Sequence, residues 1–181
     1  MQWKIQLCKR KWGPEAQNEL KGLQKDLKQV VGFIKNESEL RTLHDNVFPL
    51  VMSNLQSPDP TNQEEVARIL KEDVLSDEGK AHSWTAKLIY HYTHAFAARL
   101  LGNLEKVFRH YQRMVELWEA TPHQVKSQPQ RYLNTLMAYL DSALKIGETD
   151  EFSSLLKKIN AVKSKRPDIT ASVFWISAHL K

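Results

Sequence analysis

Residues 88–114 read Leu88-Ile89-Tyr90-His91-Tyr92-Thr93-His94-Ala95-Phe96-Ala97-Ala98-Arg99-Leu100-Leu101-Gly102-Asn103-Leu104-Glu105-Lys106-Val107-Phe108-Arg109-His110-Tyr111-Gln112-Arg113-Met114. Apolar residues recur every three or four positions on both sides of Gly102, which is the period of a helix. Glycine past a helix end can take the left-handed conformation that stops the helix without a Cβ penalty. Ala95 and Ala98 are small where two helix axes must approach, and Val107, Tyr111 and Met114 are the bulkier partners that fill the grooves between them. The stretch is therefore a helical hairpin.

Shifting the chain by 45 residues repeats the hairpin. Leu88 falls on Leu133, Ala95 on Leu140, Ala98 on Ala143, Leu101 on Ile146 and Gly102 on Gly147. Beyond the glycine, Val107 falls on Phe152, Tyr111 on Leu156, Met114 on Ile159 and Pro122 on Pro167. The unit is helix, glycine turn, helix, then a proline link that redirects the chain. A partial third unit opens at Asp168, with Ile169, Val173, Phe174 or Trp175, and Ile176 as apolar positions.

Upstream, Gly13-Pro14 precedes a helix marked by Ala16, Leu20, Leu23, Leu27, Val30 or Val31, and Ile34. Ser38 is positioned to cap a second helix carrying Leu40, Leu43, Val47 and Leu50 or Val51, which Pro49 should kink or split. Ser57-Pro58-Asp59-Pro60 is a break, and Thr61-Asn62-Gln63-Glu64 matches a capping box for a helix with Val66, Ile69, Leu70 and Val74. No stretch alternates with period two long enough for a strand. The fold expected is all-α, with about seven or eight helices, organised as a basic helical segment over 1–80 and repeats over 82–126, 127–167 and 168–181.

The segment from Gly102 to Met114 resembles the turn and second helix of a tetratricopeptide repeat. Gly102 stands at the inter-helix turn, Val107 and Met114 at small positions, Tyr111 at the aromatic position, and Ala95 at the small position of the first helix. The copy from Gly147 to Ile159 is more divergent, and its 45-residue spacing exceeds the family length of about 34, so helices or links must be longer. The chain as a whole is similar to bacterial helical-repeat proteins of unassigned role. The resemblance implies a right-handed solenoid of helical hairpins that binds a protein or peptide in a groove, without catalysis. First helices line that groove, which nominates Tyr92, Phe96, Arg99 and Tyr139 as partner contacts.

Net charge is +5 over 181 residues. All of the excess lies in residues 1–36, where eight Lys/Arg face three Asp/Glu, and Lys4, Lys9, Arg10 and Lys11 form a patch flanked by Trp3 and Trp12. Nucleic-acid binding through that patch is the alternative function, set below protein binding because no reading motif accompanies it. The single cysteine, Cys8, excludes an internal disulfide and fits a reducing compartment. Neither a secretory h-region nor an apolar run long enough for a bilayer is apparent, so a cytoplasmic location is expected.

No GxGxxG, P-loop, HExxH or GxSxG pattern occurs, and the carboxylates scatter over exposed faces, so neither an enzyme nor a cofactor is expected. His91, His94 and His110 invite a metal site. Counting outward from Gly102 leaves only His94 level with His110, so no metal is expected there. Phe174, Trp175 and Ile176 cap a stack poorly, which points to a longer array or to self-association through the last helix.

Overall fold

A computed structural model describes residues 14–165. The described chain is all-helical, with seven α-helices and no strand. They are α1 (Pro14–Gln56), α2 (Pro60–Ile69), α3 (Trp84–Leu100), α4 (Leu104–Glu119), α5 (Pro122–Ser127), α6 (Pro129–Ile146) and α7 (Phe152–Lys165). Two 3-10 turns, Asp73–Leu75 and Glu78–Lys80, form a strap between α2 and α3. The main packing runs in a row: α1 on α3, α3 on α4, α4 on α6, and α6 on α7. The basic patch Lys4, Lys9, Arg10 and Lys11, Cys8, and the apolar run Phe174 to Ile176 lie outside the described residues.

Helix α3 is buried on two sides because it serves two cores. Leu88, Ala95 and Ala98 join Val107, Tyr111, Met114, Trp118, Leu133, Leu136 and Leu155 in the core of α3, α4, α6 and α7. Ala86, Ile89, Ala97 and Leu100 join Leu40, Val47, Val51, Val66 and Leu75 in the other. Each fully buried Leu or Val contributes about 1.5–3 kcal/mol through loss of its water contact. The boundary expected at residue 80 runs through this second core, so α3 belongs as much to the N-terminal helices as to the hairpins that follow.

Both hairpin glycines have the left-handed backbone expected of them, φ 71° at Gly102 and 76° at Gly147. The hydrogen bonds are those of a Schellman ending. Asn103 N–H donates to the Ala98 carbonyl at 2.8 Å and Glu148 N–H to the Ala143 carbonyl at 2.9 Å. A methyl group at either glycine would meet nothing within 4 Å, so the backbone angle alone decides a substitution there. Gly102→Ala and Gly147→Ala should each cost about 1–2 kcal/mol, read as a fall of about 2–8 °C in Tm by circular dichroism. Gly22→Ala in α1, also in open space but mid-helix, should instead raise Tm. Equal responses at all three positions would refute the argument from φ.

The repeat register holds through the first helix and the turn, then slips. Leu88 and Leu133 are both fully buried, as are Ala98 and Ala143 or nearly so. Helix α4 begins two residues after Gly102, whereas α7 begins five after Gly147. The extra turn, closed by Phe152 N–H donating to the Thr149 carbonyl, moves the register of the second helix from 45 to 48. Val107 therefore corresponds to Leu155 and Tyr111 to Ile159, all buried, while Leu156, the partner expected for Tyr111, is 37% exposed.

Two helix boundaries also differ from expectation. Helix α1 runs unbroken for 43 residues with Pro49 inside it, and Ser38 is not a cap. The polar residues that would have ended a helix at 36–38 are engaged elsewhere. Asn36 binds the strap through the Lys80 carbonyl and His82 N–H, and Glu37 accepts from the Ser83 hydroxyl. Helix α2 starts at Pro60, capped by Asp59, whose carboxylate accepts from Thr61 N–H at 2.9 Å. Thr61 is thus inside the helix rather than its cap, because Asp-Pro supplies both a cap acceptor and a first-turn residue that needs no donor.

Candidate functional site

Thr135 on α6 is the node at which α3, α4 and α6 meet. It is fully buried, and its hydroxyl donates to the Arg131 carbonyl at 2.9 Å. That leaves it free to accept, and it does so twice, from the Tyr92 hydroxyl at 3.0 Å and from Trp118 Nε1–H at 3.2 Å. About two turns toward the glycine end, the Arg99 guanidinium reaches Asp141 at 3.2 Å, and Lys145 meets the same carboxylate at 2.9 Å. Tyr92 and Arg99 thus fasten α3 to α6, and both side chains stay half-buried.

Tyr139 corrects the expectation of a surface contact outright, for it is 2% exposed. Its hydroxyl donates to Glu151, which also accepts from Gln112 at 3.2 Å, and its ring lies 5.0 Å from Phe108. Burial, then the Glu151 carboxylate, pushes the phenol above its ordinary range. Phe96 lies one turn beyond Tyr92 on the same face of α3, half-buried, with Phe48 edge-on at 5.4 Å and His44 at 5.7 Å, and the His44 ring also stands edge-on to Tyr92 at 6.4 Å. Of the four nominated side chains, Tyr92, Phe96 and Arg99 thus share one half-buried stripe of α3, while Tyr139 is buried on α6.

Two surface depressions are formed by the described residues. One, of about 420 Å³, sits between the α5–α6 corner and α7. Val125, Pro129, Tyr132, Ala161 and Val162 give it apolar walls, with Lys126 and Lys158 at its rim. Glu119 holds its polar side in place, accepting from the Tyr132 hydroxyl at 2.9 Å and pairing with Lys158 at 2.6 Å. The other, of about 590 Å³, lies between α4 and the α6–α7 turn and is lined by Glu105, Glu148, Asp150 and Glu151 around Phe108 and Ile146. The proline pair at 122 and 129 was the sequence signal for the first cleft, since it marks a sharp corner between long helices. The proline link after the second helix is itself a short helix, α5, which carries Val125 to the wall.

The histidines also meet in a way that residue counting from Gly102 did not anticipate. His91 Nδ1 lies 3.0 Å from His110 Nδ1, and the His94 ring stacks on His110 with centroids 5.1 Å apart. Residues three apart are offset by about 4.5 Å along a helix, a gap that imidazole side chains on the facing helix span. Among the described residues no three His, Cys, Asp or Glu side chains converge as ligands for one metal ion. Nor is any described helix long and apolar enough to cross a membrane. Compared with protein-family models, curated proteins and solved structures, the chain matches none.

Proposed function

We propose that the protein is a noncatalytic binding module of tetratricopeptide-like, solenoid type that takes a peptide or a partner helix. The apolar cleft between the α5–α6 corner and α7 is the observation that supports this reading. Its walls are presented by stacked helices and held by the Tyr132–Glu119–Lys158 contacts, so a partner's apolar side chain would enter a site that needs little ordering. Lysines at the rim favour a partner with acidic residues beside that anchor.

Ala161 is exposed, lines the cleft and belongs to neither core, so Ala161→Glu changes the cleft without touching the packing. Nuclease-treated lysate passed over immobilised wild-type and Ala161→Glu protein should show one or more proteins retained at high salt by the wild type. The variant should retain them about tenfold less, corresponding to about 1.4 kcal/mol, while melting at the same temperature. Equal retention by both forms would move the binding surface off this cleft. Recovery, from a parallel lysate without nuclease, only of nucleic acid that washes off with salt would replace the reading with binding through the N-terminal lysines and arginine.

A further inference from the structure

Beneath the strap, three imidazoles are packed with the means to count protons. His91 and His94 come from α3 and His110 from α4. The Leu75 carbonyl of the strap lies 3.0 Å from Nε2 of His94, and a Glu78 carboxylate oxygen lies 3.3 Å from Nε2 of His91. Arg113 of α4 holds that same carboxylate from the other side at 3.2 Å. His91 is 4% exposed, and its Nε2 makes no aligned hydrogen bond. We propose that the His91–His94–His110 cluster is an acid-operated latch, which ties the strap from Asp73 to Lys80 onto the α3–α4 hairpin and opens when a second proton enters the facing His91–His110 pair.

Hydrogen-bond roles set the capacity of the cluster. A carbonyl only accepts, so Nε2 of His94 carries its hydrogen toward Leu75. The facing Nδ1 atoms of His91 and His110 need one hydrogen between them. With Nε2 of His91 turned to the Glu78 carboxylate, its hydrogen belongs there, so Nδ1 of His91 accepts and His110 donates. One added proton can be held: His91 becomes cationic opposite Glu78, and His110 shifts its own hydrogen to Nε2 and accepts. A second added proton leaves two N–H groups pointing at each other across 3.0 Å, with two positive charges side by side and His91 buried from water.

The surrounding charges do not relieve that state. Lys106 lies near His94 and His110, Arg113 near His91, and Lys87 near Glu78, while Glu78 is the negative group that faces His91 and His110. Tyr90, whose ring is 4.4 Å from His94, is held in its neutral form by burial and by Asp77 and Glu78. Burial first, and then Arg113 and His94, lowers His91 to about 4 against the pull of Glu78. Burial, His94, His91 and Lys106 lower His110 to about 3. Burial also lowers His94, opposed by the Leu75 carbonyl.

In an unfolded chain each imidazole titrates near 6.5, and lifting the strap readmits water to the rings and moves them back toward that value. The open form therefore binds more protons than the closed form, and closure weakens as pH falls from about 6.5 toward 4. Above that window both forms are neutral and nothing changes. Together His91 and His110 should raise the open-to-closed ratio by at least about 30-fold between pH 7.5 and pH 5.

Hydrogen exchange on the intact chain tests this, with protection factors corrected for the intrinsic pH dependence. Strap amides over 73–82 should lose at least about 30-fold protection between pH 7.5 and pH 5, while α6 amides keep theirs. His110→Gln, which keeps a donor toward His91 without a titrating ring, should remove most of that loss. Constant strap protection, loss in step with α6, or an unchanged response in His110→Gln would each overturn the latch. If His110→Gln does not fold, the imidazole proton resonances of the wild type decide the matter. Titration of His91 and His110 below pH 5 supports the latch, and titration near pH 6.5 with the strap still protected overturns it.

Discussion

Replacing Trp118 by alanine should lower the stability of the fold by about 3–5 kcal/mol, the largest effect expected of any single substitution here. Trp118 is fully buried, with the Trp84 ring edge-on at 4.7 Å and the Tyr132 ring at 5.9 Å. Its Nε1–H is one of the two donors to Thr135. Alanine would leave an indole-sized void at the junction of α3, α4 and α6, and helices on three sides cannot all move in to fill it. Trp118→Phe fills most of the volume and loses only one hydrogen bond to Thr135, so its cost should be about 1–2 kcal/mol. Urea unfolding followed by circular dichroism reads both. A cost below about 1.5 kcal/mol for the alanine variant would show that the three helices close around the gap.

The second effect concerns Asn36, which is 8% exposed and ties α1 to the strap with both ends of its amide. Its Nδ2 donates to the Lys80 carbonyl at 2.9 Å, and its Oδ1 accepts from His82 N–H at 2.9 Å. Asn36→Ala removes a donor and an acceptor at once and leaves two backbone groups facing an apolar methyl, so a loss of about 2–3 kcal/mol is expected. Asn36→Asp keeps the acceptor for His82 but sets a carboxylate against the Lys80 carbonyl, and should recover only part of the loss. The measurement is again equilibrium unfolding, at pH 7.5 where the histidine cluster is neutral. If Asn36→Ala unfolds with the wild-type midpoint, water replaces the amide and the tie is not structural.

Asn36 also shows why part of the fold was hard to read from sequence. Asn-Glu-Ser at 36–38 has the composition of a helix cap, and a local reading ends a helix there. Whether such side chains cap their own helix or reach outward depends on what lies across from them. Here it is a strap more than forty positions downstream. The same logic applies to Tyr139. Its spacing on α6 places it on the stripe of a groove-lining residue, but the three-residue extension after Gly147 sets the half-buried Glu151 opposite its hydroxyl, and the tyrosine is buried beneath that contact. His91 and His110 are separated by a turn whose helix crossing decides which rings meet, and no periodicity encodes that crossing.

What the amino-acid sequence determined by itself was the helical class, the hairpin around Gly102 and its copy around Gly147. Those features depend on the spacing of apolar side chains along one helix and on the φ available to glycine, both of which act within a few residues. Tertiary structure alone decided the continuity of α1, the 48-residue register of α7, the destinations of Tyr92, Arg99 and Tyr139, and the meeting of the three imidazoles. Apart from the register, which the added turn after Gly147 sets, each of those depends on a polar side chain choosing between a local partner and a distant one. When burial removes water as a third option, the distant partner with the better geometry wins.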